Sequence, residues 1–131
     1  MIVWIENIWK YFTYGGEDPA YLCLLSGNVY REPNPDTIPI PGVKILDLAR
    51  KYLFESGDRD LRNFSNRADD VKLRSYFHNW IYSDLDNFSA WERFAGHEVF
   101  SYAIKWCEDN DIPYTAKITD KDFYKRGSFG V

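Results

Sequence analysis

Residues 89–110, SAWERFAGHEVFSYAIKWCEDN, form the longest uninterrupted segment with a helical period. Large apolar residues recur in this segment at intervals of three and four, which places them on one side of an α-helix: Trp91, Phe94, Ala95, Val99, Tyr102 and Trp106. Ser89, with Glu92 three residues later, matches the S-x-x-E capping box and predicts the start of the helix. Further apolar residues widen this face, so we expect a central helix that other elements cover on more than half of its surface.

The composition is that of one globular domain. The chain has 131 residues, of which 45% are hydrophobic and 27% are charged, so residues 1–131 should fold around a single core. Aromatic residues make up 18% of the chain, an excess that fits either an aromatic core or a recognition surface. The net charge of −4 argues against a role in binding nucleic acid.

The cysteines and the apolar segments indicate the cellular location to be expected for the protein. Cys23 lies in a strand-like apolar segment and Cys107 in the central helix, which favours two buried free thiols in a reducing environment. The sequence shows no pattern of a cleaved signal and no apolar run near the ~20 residues that a membrane span needs. We therefore expect a soluble cytoplasmic protein that has no membrane partner.

The first third of the chain predicts a small antiparallel meander. Residues 1–14, MIVWIENIWKYFTY, combine helical and strand periods, and their β-branched and aromatic content favours strands. A loop at Gly15-Gly16 follows, and a hairpin turn at residues 26–28 should join the strands AYLCLL and NVYRE. Residues 33–42 hold four of the six prolines and predict an extended connector.

The rest of the chain predicts helices. Residues 43–57 are amphipathic, residues 58–66 resemble a polar surface loop, and Asp69 should cap a further helix. The short connection from that helix to the central one favours an antiparallel helical hairpin. With residues 114–119 as a candidate edge strand, the fold class is α+β: a small antiparallel sheet against about three helices.

Few residues suggest catalysis. The only histidines are His78 and His97, no second ligand follows His97-Glu98 at the HExxH spacing, and no nucleophile elbow or phosphate loop is present. We expect no metal site, no cofactor and no catalytic residue. The alternative is a small enzyme or nucleotide-binding protein with a pocket between sheet and helices, formed by His78, His97 and Glu98.

The charge distribution is more informative than the motifs. Residues 81–112 hold seven acidic and two basic residues, a local net charge of −5. Asp84 and Asp86 lie near a predicted helix N-terminus, where the macrodipole favours negative charge. Glu108, Asp109 and Asp111 lie at a helix C-terminus, where it does not, so this sequence pattern suggests a surface kept for a basic partner.

The function that these observations favour is a non-enzymatic inhibitor. Its acidic, aromatic-containing surface, with Asp84, Asp86, Glu108, Asp109 and Asp111 as candidate residues, would occlude a basic nucleic-acid-binding protein or nuclease. Immunity proteins and phage inhibitors of defence enzymes offer a class-level analogy. A second alternative is nucleic-acid binding through Arg59, Arg62 and Arg67. The aromatic residues of the tail from Asp120 suggest docking against the chain itself or a second copy, so a homodimer is a further expectation.

Overall fold

The computed structural model describes residues 1–13 and 19–118. These residues form five helices and five short strands in an α+β arrangement, which confirms the predicted fold class. In chain order the elements are β1 (Val3–Trp4), α1 (Ile5–Thr13), β2 (Tyr21–Cys23), β3 (Val29–Tyr30), β4 (Thr37–Pro39), α2 (Ile45–Ser56), α3 (Arg59–Arg67), α4 (Asp70–Tyr82), α5 (Leu85–Asp109) and β5 (Tyr114–Thr115). The predicted loop at Gly15-Gly16 and the tail from Asp120 lie outside the described residues.

The N-terminal segment is mainly helical, so the prediction of strands there is wrong beyond Trp4. Ile5, Ile8 and Phe12 are fully buried on one face of α1 because their spacing of three and four suits a helix. The intrinsic preference of these residues for strands is weaker than the gain from burying that face. Therefore α1 cannot pair with β2 as the predicted meander required.

The antiparallel sheet has the strand order β3-β2-β4. The predicted hairpin is present: Leu22 pairs with Val29, and Gly27 in the turn has a φ of 77°, which favours glycine. The third strand is β4, from within the proline-rich connector, where Ile38 pairs with Leu22. Its edge position explains how this segment tolerates proline within a sheet.

Of the predicted C-terminal strand, residues 114–119, only Tyr114 and Thr115 form a strand among the described residues, and they do not join the antiparallel sheet. Val3 of β1 pairs with Tyr114 of β5 in a parallel arrangement, separate from the three-stranded sheet. The carboxylate of Glu6 in α1 also accepts hydrogen bonds from the backbone N–H groups of Lys117 and Ile118. The described C-terminal residues are thus held against the start of the chain.

Two helix starts differ from the prediction. Residues 58–66 were predicted to be a loop and mostly belong to α3, whose N-cap Asp58 accepts a hydrogen bond from the N–H of Leu61. The start of α5 is at Leu85 with Asp84 as the N-cap, so the prediction that Ser89 caps this helix is wrong. The helix begins directly after Asp84 because its carboxylate accepts hydrogen bonds from two backbone N–H groups that have no partner within the helix, more than one turn before Ser89.

The helices α4 and α5 form the predicted antiparallel hairpin. Asp69 caps α4 as expected, by accepting a hydrogen bond from the N–H of Lys72. The ring of Phe77 contacts that of Trp91 at 4.5 Å, and the ring of Tyr82, nearer the turn, stacks on Phe88 at 5.8 Å. Only Ser83 and Asp84 connect the two helices.

The core consists of two clusters that share α5. The sheet cluster has buried residues from the N-terminal part of the chain, the C-terminal half of α5 and Ile112. The helical cluster is buried between α2 and α4, with contributions from α3 and the N-terminal half of α5: Ala49, Leu53, Leu73, Phe77 and Ile81, with Leu61, Phe64, Phe88 and Trp91 packed against them. The central position predicted for this helix is therefore correct, although its start is not.

Candidate partner-binding surface

The five acidic residues that the sequence suggested as a partner-binding surface lie at opposite ends of α5. Asp84 and Asp86 are at its N-terminus, whereas Glu108, Asp109 and Asp111 are at its C-terminus. The helix has 25 residues, so the two groups are about 36 Å apart along its axis at 1.5 Å per residue. They form two separate surfaces.

The C-terminal group has local structural roles. The N–H of Ile112 donates to the carbonyl of Cys107 at 2.8 Å and that of Asp111 to Glu108 at 3.2 Å, the two bonds of a Schellman motif. This motif needs a left-handed residue after the helix, and Asp111 supplies it with a φ of 55°. Asp111 is thus explained by the backbone that ends the helix.

Glu108 also has a partner within the chain. Its carboxylate accepts a hydrogen bond from the hydroxyl of Tyr114 at 2.7 Å, and this bond raises the pKa of Tyr114. Of the three acidic residues at this end, Glu108 has a carboxylate that makes a hydrogen bond, whereas the carboxylates of Asp109 and Asp111 make no hydrogen bond or ion pair within residues 1–13 and 19–118.

The N-terminal group lies on the turn between α4 and α5. One oxygen of Asp84 accepts the N–H groups of Asp86 at 2.6 Å and Asn87 at 3.2 Å, which fixes the entry to α5. The carboxylate of Asp86 is exposed and makes no hydrogen bond or ion pair with the described part of the chain. Beside these carboxylates, the side chains of Tyr82 and Leu85 are 67% and 75% exposed. We call Tyr82, Asp84, Leu85 and Asp86 the hairpin tip.

Hydrogen bonds and ring contacts anchor the hairpin tip to the two helices. The carbonyl of Trp80 accepts hydrogen bonds from the Ser83 hydroxyl at 2.7 Å and from the Asn87 amide at 3.3 Å. The ring of Tyr82 contacts the rings of His78 at 4.8 Å and Phe88 at 5.8 Å while most of it remains exposed. No Lys or Arg occurs between Arg74 and Arg93 in the sequence. The tip is therefore an ordered surface of aromatic, aliphatic and acidic groups.

The residues of the alternative pocket, His78, His97 and Glu98, are at different levels of the hairpin. His78 lies beside Phe77, which contacts Trp91, whereas His97 is six residues beyond Trp91, about 9 Å further along α5. Glu98 accepts a hydrogen bond from the ammonium group of Lys51 at 2.7 Å, which raises the pKa of Lys51. Within the described ranges, no group of three or more potential metal ligands is present.

Two of the three arginines of α3 use their charged groups locally, whereas Arg59 lies between Asp58 and Asp60 and makes no hydrogen bond or ion pair with the described residues. Arg62 donates from Nε to the carbonyl of Phe54 at 3.1 Å, and Arg67 donates to that of Asn63 at 3.3 Å. Asp58 and Asp60 lie on the same short helix or at its cap. A nucleic-acid backbone would therefore meet a surface of mixed charge rather than a cluster of free guanidinium groups.

Sequence reasoning missed two residues of the tip, Tyr82 and Leu85. The capping box at Ser89 and Glu92 placed the start of the central helix five residues too late and left Leu85 at the end of the preceding helix, although Asp84 is also a residue type that caps helices. Tyr82 follows the buried Ile81 directly, so the helical period of α4 directs it away from the core.

Comparison of the chain with protein-family models, with curated proteins and with solved structures gave no match. Among the described helices, none has the length and apolar character needed to cross a bilayer. Cys23 and Cys107 are both buried free thiols, as the sequence predicts. The case for a function therefore rests on the residues and geometry of this chain.

Proposed function

We propose that this protein is a non-enzymatic binding protein of the inhibitor type, and that its hairpin tip occludes a basic protein partner. The observation that carries this proposal is the pair of exposed apolar side chains, Tyr82 and Leu85, set among the carboxylates of Asp84 and Asp86. The other acidic residues suggested by the sequence are less suitable, because Glu108 and Asp111 serve the end of α5.

The chemistry of the tip fits a partner rich in Lys and Arg. Its carboxylates complement a positive surface and speed association, while an ordered aromatic ring supplies an anchor at low entropic cost. Proteins that act on nucleic acid carry such positive surfaces, so we propose a nucleic-acid-binding protein or nuclease as the partner. Inhibition would then follow from covering the surface that binds phosphates, in the manner of immunity proteins or phage anti-defence proteins.

We also propose a cytoplasmic location. Two buried cysteines that remain free thiols support a reducing compartment, where a nucleic-acid-binding partner would be present.

The test is capture of partners from a lysate of the source organism by immobilised protein, with two matched charge reversals. Asp86→Lys changes the tip, and Asp109→Lys changes an exposed acidic residue at the other end of α5 that likewise has no partner among the described residues. We expect the wild type and Asp109→Lys to retain one basic protein at low salt and to release it at ~0.5 M salt, where charges are screened within a few Å.

For Asp86→Lys we expect at least about tenfold weaker retention, because a like charge then faces the basic partner. Equal retention by the wild type and the two variants would contradict the proposal that the hairpin tip is the binding surface. Failure of the wild type to retain any basic protein would contradict the proposed function itself.

A further inference from the structure

One side of the two-stranded parallel sheet carries exposed apolar side chains. On the other side, alternate residues of β5 and of the chain after it pack against the sheet cluster: Tyr114, Ala116 and Ile118. Successive side chains of an extended chain point to opposite sides, so Thr115 and Lys117 face away from that cluster. In β1, Val3 is buried in the same cluster, whereas Ile2 and Trp4 are 65% and 40% exposed. We call Ile2, Trp4, Thr115 and Lys117 the outer sheet face.

The outer sheet face combines an apolar patch with one positive charge. Trp4 pairs with Thr115 in the parallel register, and the ammonium group of Lys117 lies 5.4 Å from the centre of the Trp4 ring, which is a cation–π contact. Ile2 is two residues before Trp4 and shares its side of β1. The two side chains therefore form one patch whose burial under another apolar group would be favourable.

We propose that the C-terminal segment of the same chain, residues 119–131, folds back over the outer sheet face and places Phe123 and Tyr124 against Trp4 and Ile2. This segment, TDKDFYKRGSFGV, lies outside the described residues. It contains three aromatic residues, which are the side chains that gain most from covering such a patch.

The course of the described chain identifies this segment as the occupant. Lys117 belongs to the outer sheet face, and the N–H groups of Lys117 and Ile118 donate to the Glu6 carboxylate at 2.5 and 2.8 Å, which holds the backbone at this position. The segment therefore starts at the edge of the face. Phe123 follows Ile118 by five residues and can lie up to about 17 Å from it, which is enough to turn back and reach the Trp4 ring.

The residues between Ile118 and Phe123 suit a reversal of the chain. Thr119-Asp120-Lys121-Asp122 is a polar connection of four residues, a usual length for a turn, and aspartate is favoured in turns because it accepts local backbone hydrogen bonds. These four residues have a net charge of −1. The ammonium group of Lys117, which has no ion pair with a described residue, supplies the opposite charge beside them.

Tethering favours this segment over the same segment of a second copy. A short connection gives an effective concentration in the millimolar range, above that of a second copy in a dilute solution. The outer sheet face follows the C-terminus of α5, whereas the hairpin tip lies at its N-terminus. The docked segment therefore leaves the tip uncovered, and this inference does not depend on the proposed function.

The test is nuclear Overhauser spectroscopy of the full chain in solution. We expect cross-peaks between the indole protons of Trp4 and the ring protons of Phe123 or Tyr124, with relative intensities that do not change on dilution. In a mixture of isotope-labelled and unlabelled chains, a filtered spectrum detects only contacts between different chains. Cross-peaks in that filtered spectrum would assign the face to a second copy and overturn the proposal. The absence of any cross-peak between Trp4 and the segment would also overturn it.

A pair of variants tests which rings cover the face. Phe123→Ser with Tyr124→Ser removes two rings that shift the resonances of nearby protons, so the signals of Ile2 and Trp4 should move. Val71→Ser removes a side chain that is 77% exposed on α4 and should leave both signals in place. Unchanged signals in the double variant would contradict the docking, as would equal changes in the control.

Discussion

The two ends of α5 both carry acidic residues, yet these residues do different things. At the C-terminus, Asp111 supplies a left-handed backbone and Glu108 accepts a hydrogen bond from Tyr114. At the N-terminus, Asp84 caps the helix, but Asp86 and the neighbouring apolar side chains are free to meet another molecule. The comparison shows that acidic residues clustered in a sequence indicate a binding surface only when they are not already explained by capping or ending a helix.

The largest expected effect is a difference in the free energy of unfolding between a variant near the C-terminus of α5 and a variant at the hairpin tip. Ile112 follows the Schellman turn and is buried in the sheet cluster, so Ile112→Ala should lower the free energy of unfolding by about 3 kcal/mol. Leu85→Ala at the exposed tip should change it by less than about 0.5 kcal/mol. Urea unfolding measures both, and similar losses for the two variants would show that the tip is buried in solution.

The next effect concerns the cap of α5. Asp84→Ala should lower the free energy of unfolding by about 1 kcal/mol, because the N–H groups of Asp86 and Asn87 lose their acceptor. Asp84→Asn keeps an acceptor oxygen and should lose much less. Thermal unfolding of the two variants checks this, and an equal loss would mean that charge rather than capping matters at this position.

A third effect depends on pH. One carboxylate oxygen of Glu92 is buried without a partner among the described residues, and burial raises the pKa of this group above its ordinary value of 4.5. The ionised form thus destabilises the fold at neutral pH, and Glu92→Gln should raise the free energy of unfolding there by up to about 1 kcal/mol.

This gain should disappear on acidification. As pH falls through the raised pKa towards 4.5, the wild-type carboxyl is protonated in the folded state and its penalty is relieved. Urea unfolding of both proteins across this range should show the two curves of stability against pH converging. A difference in the free energy of unfolding that stays constant with pH would show that the substitution acts through packing and not through the charge of Glu92.

The smallest effect tests the role of Asp111. Its φ of 55° suits glycine better than aspartate, so Asp111→Gly should raise the free energy of unfolding by about 0.5 kcal/mol. Asp109→Gly, in the last turn of α5, should bring no gain, because that residue is helical. A loss of stability in Asp111→Gly would show that the carboxylate itself contributes.

The sequence was sufficient where a local signal agreed with the core. Asp69 precedes a segment whose apolar period places Leu73, Phe77 and Ile81 on one side, and both the cap and the buried face are present. The same holds for the hairpin turn at Gly27. At the start of α5 the capping box at Ser89 predicts a helix that begins five residues too late, because the cap at Asp84 already starts it.

The sequence was insufficient where tertiary packing decided. Ile5 and Ile8 favour strands individually, but burial against α5 selects a helix. The polar segment of α3 forms because Leu61 and Phe64 pack on the helical cluster, a gain that its own composition does not reveal.

The parallel pairing of Val3 with Tyr114 has a consequence for the order of folding. The buried residues of the helical cluster all lie between Ala49 and Ile81, so its contacts close short loops and can form early. The sheet cluster joins segments more than a hundred residues apart. During synthesis, therefore, the apolar face of α1 stays exposed to chaperones until α5, on which it packs, has emerged, and β1 pairs only after β5 has followed.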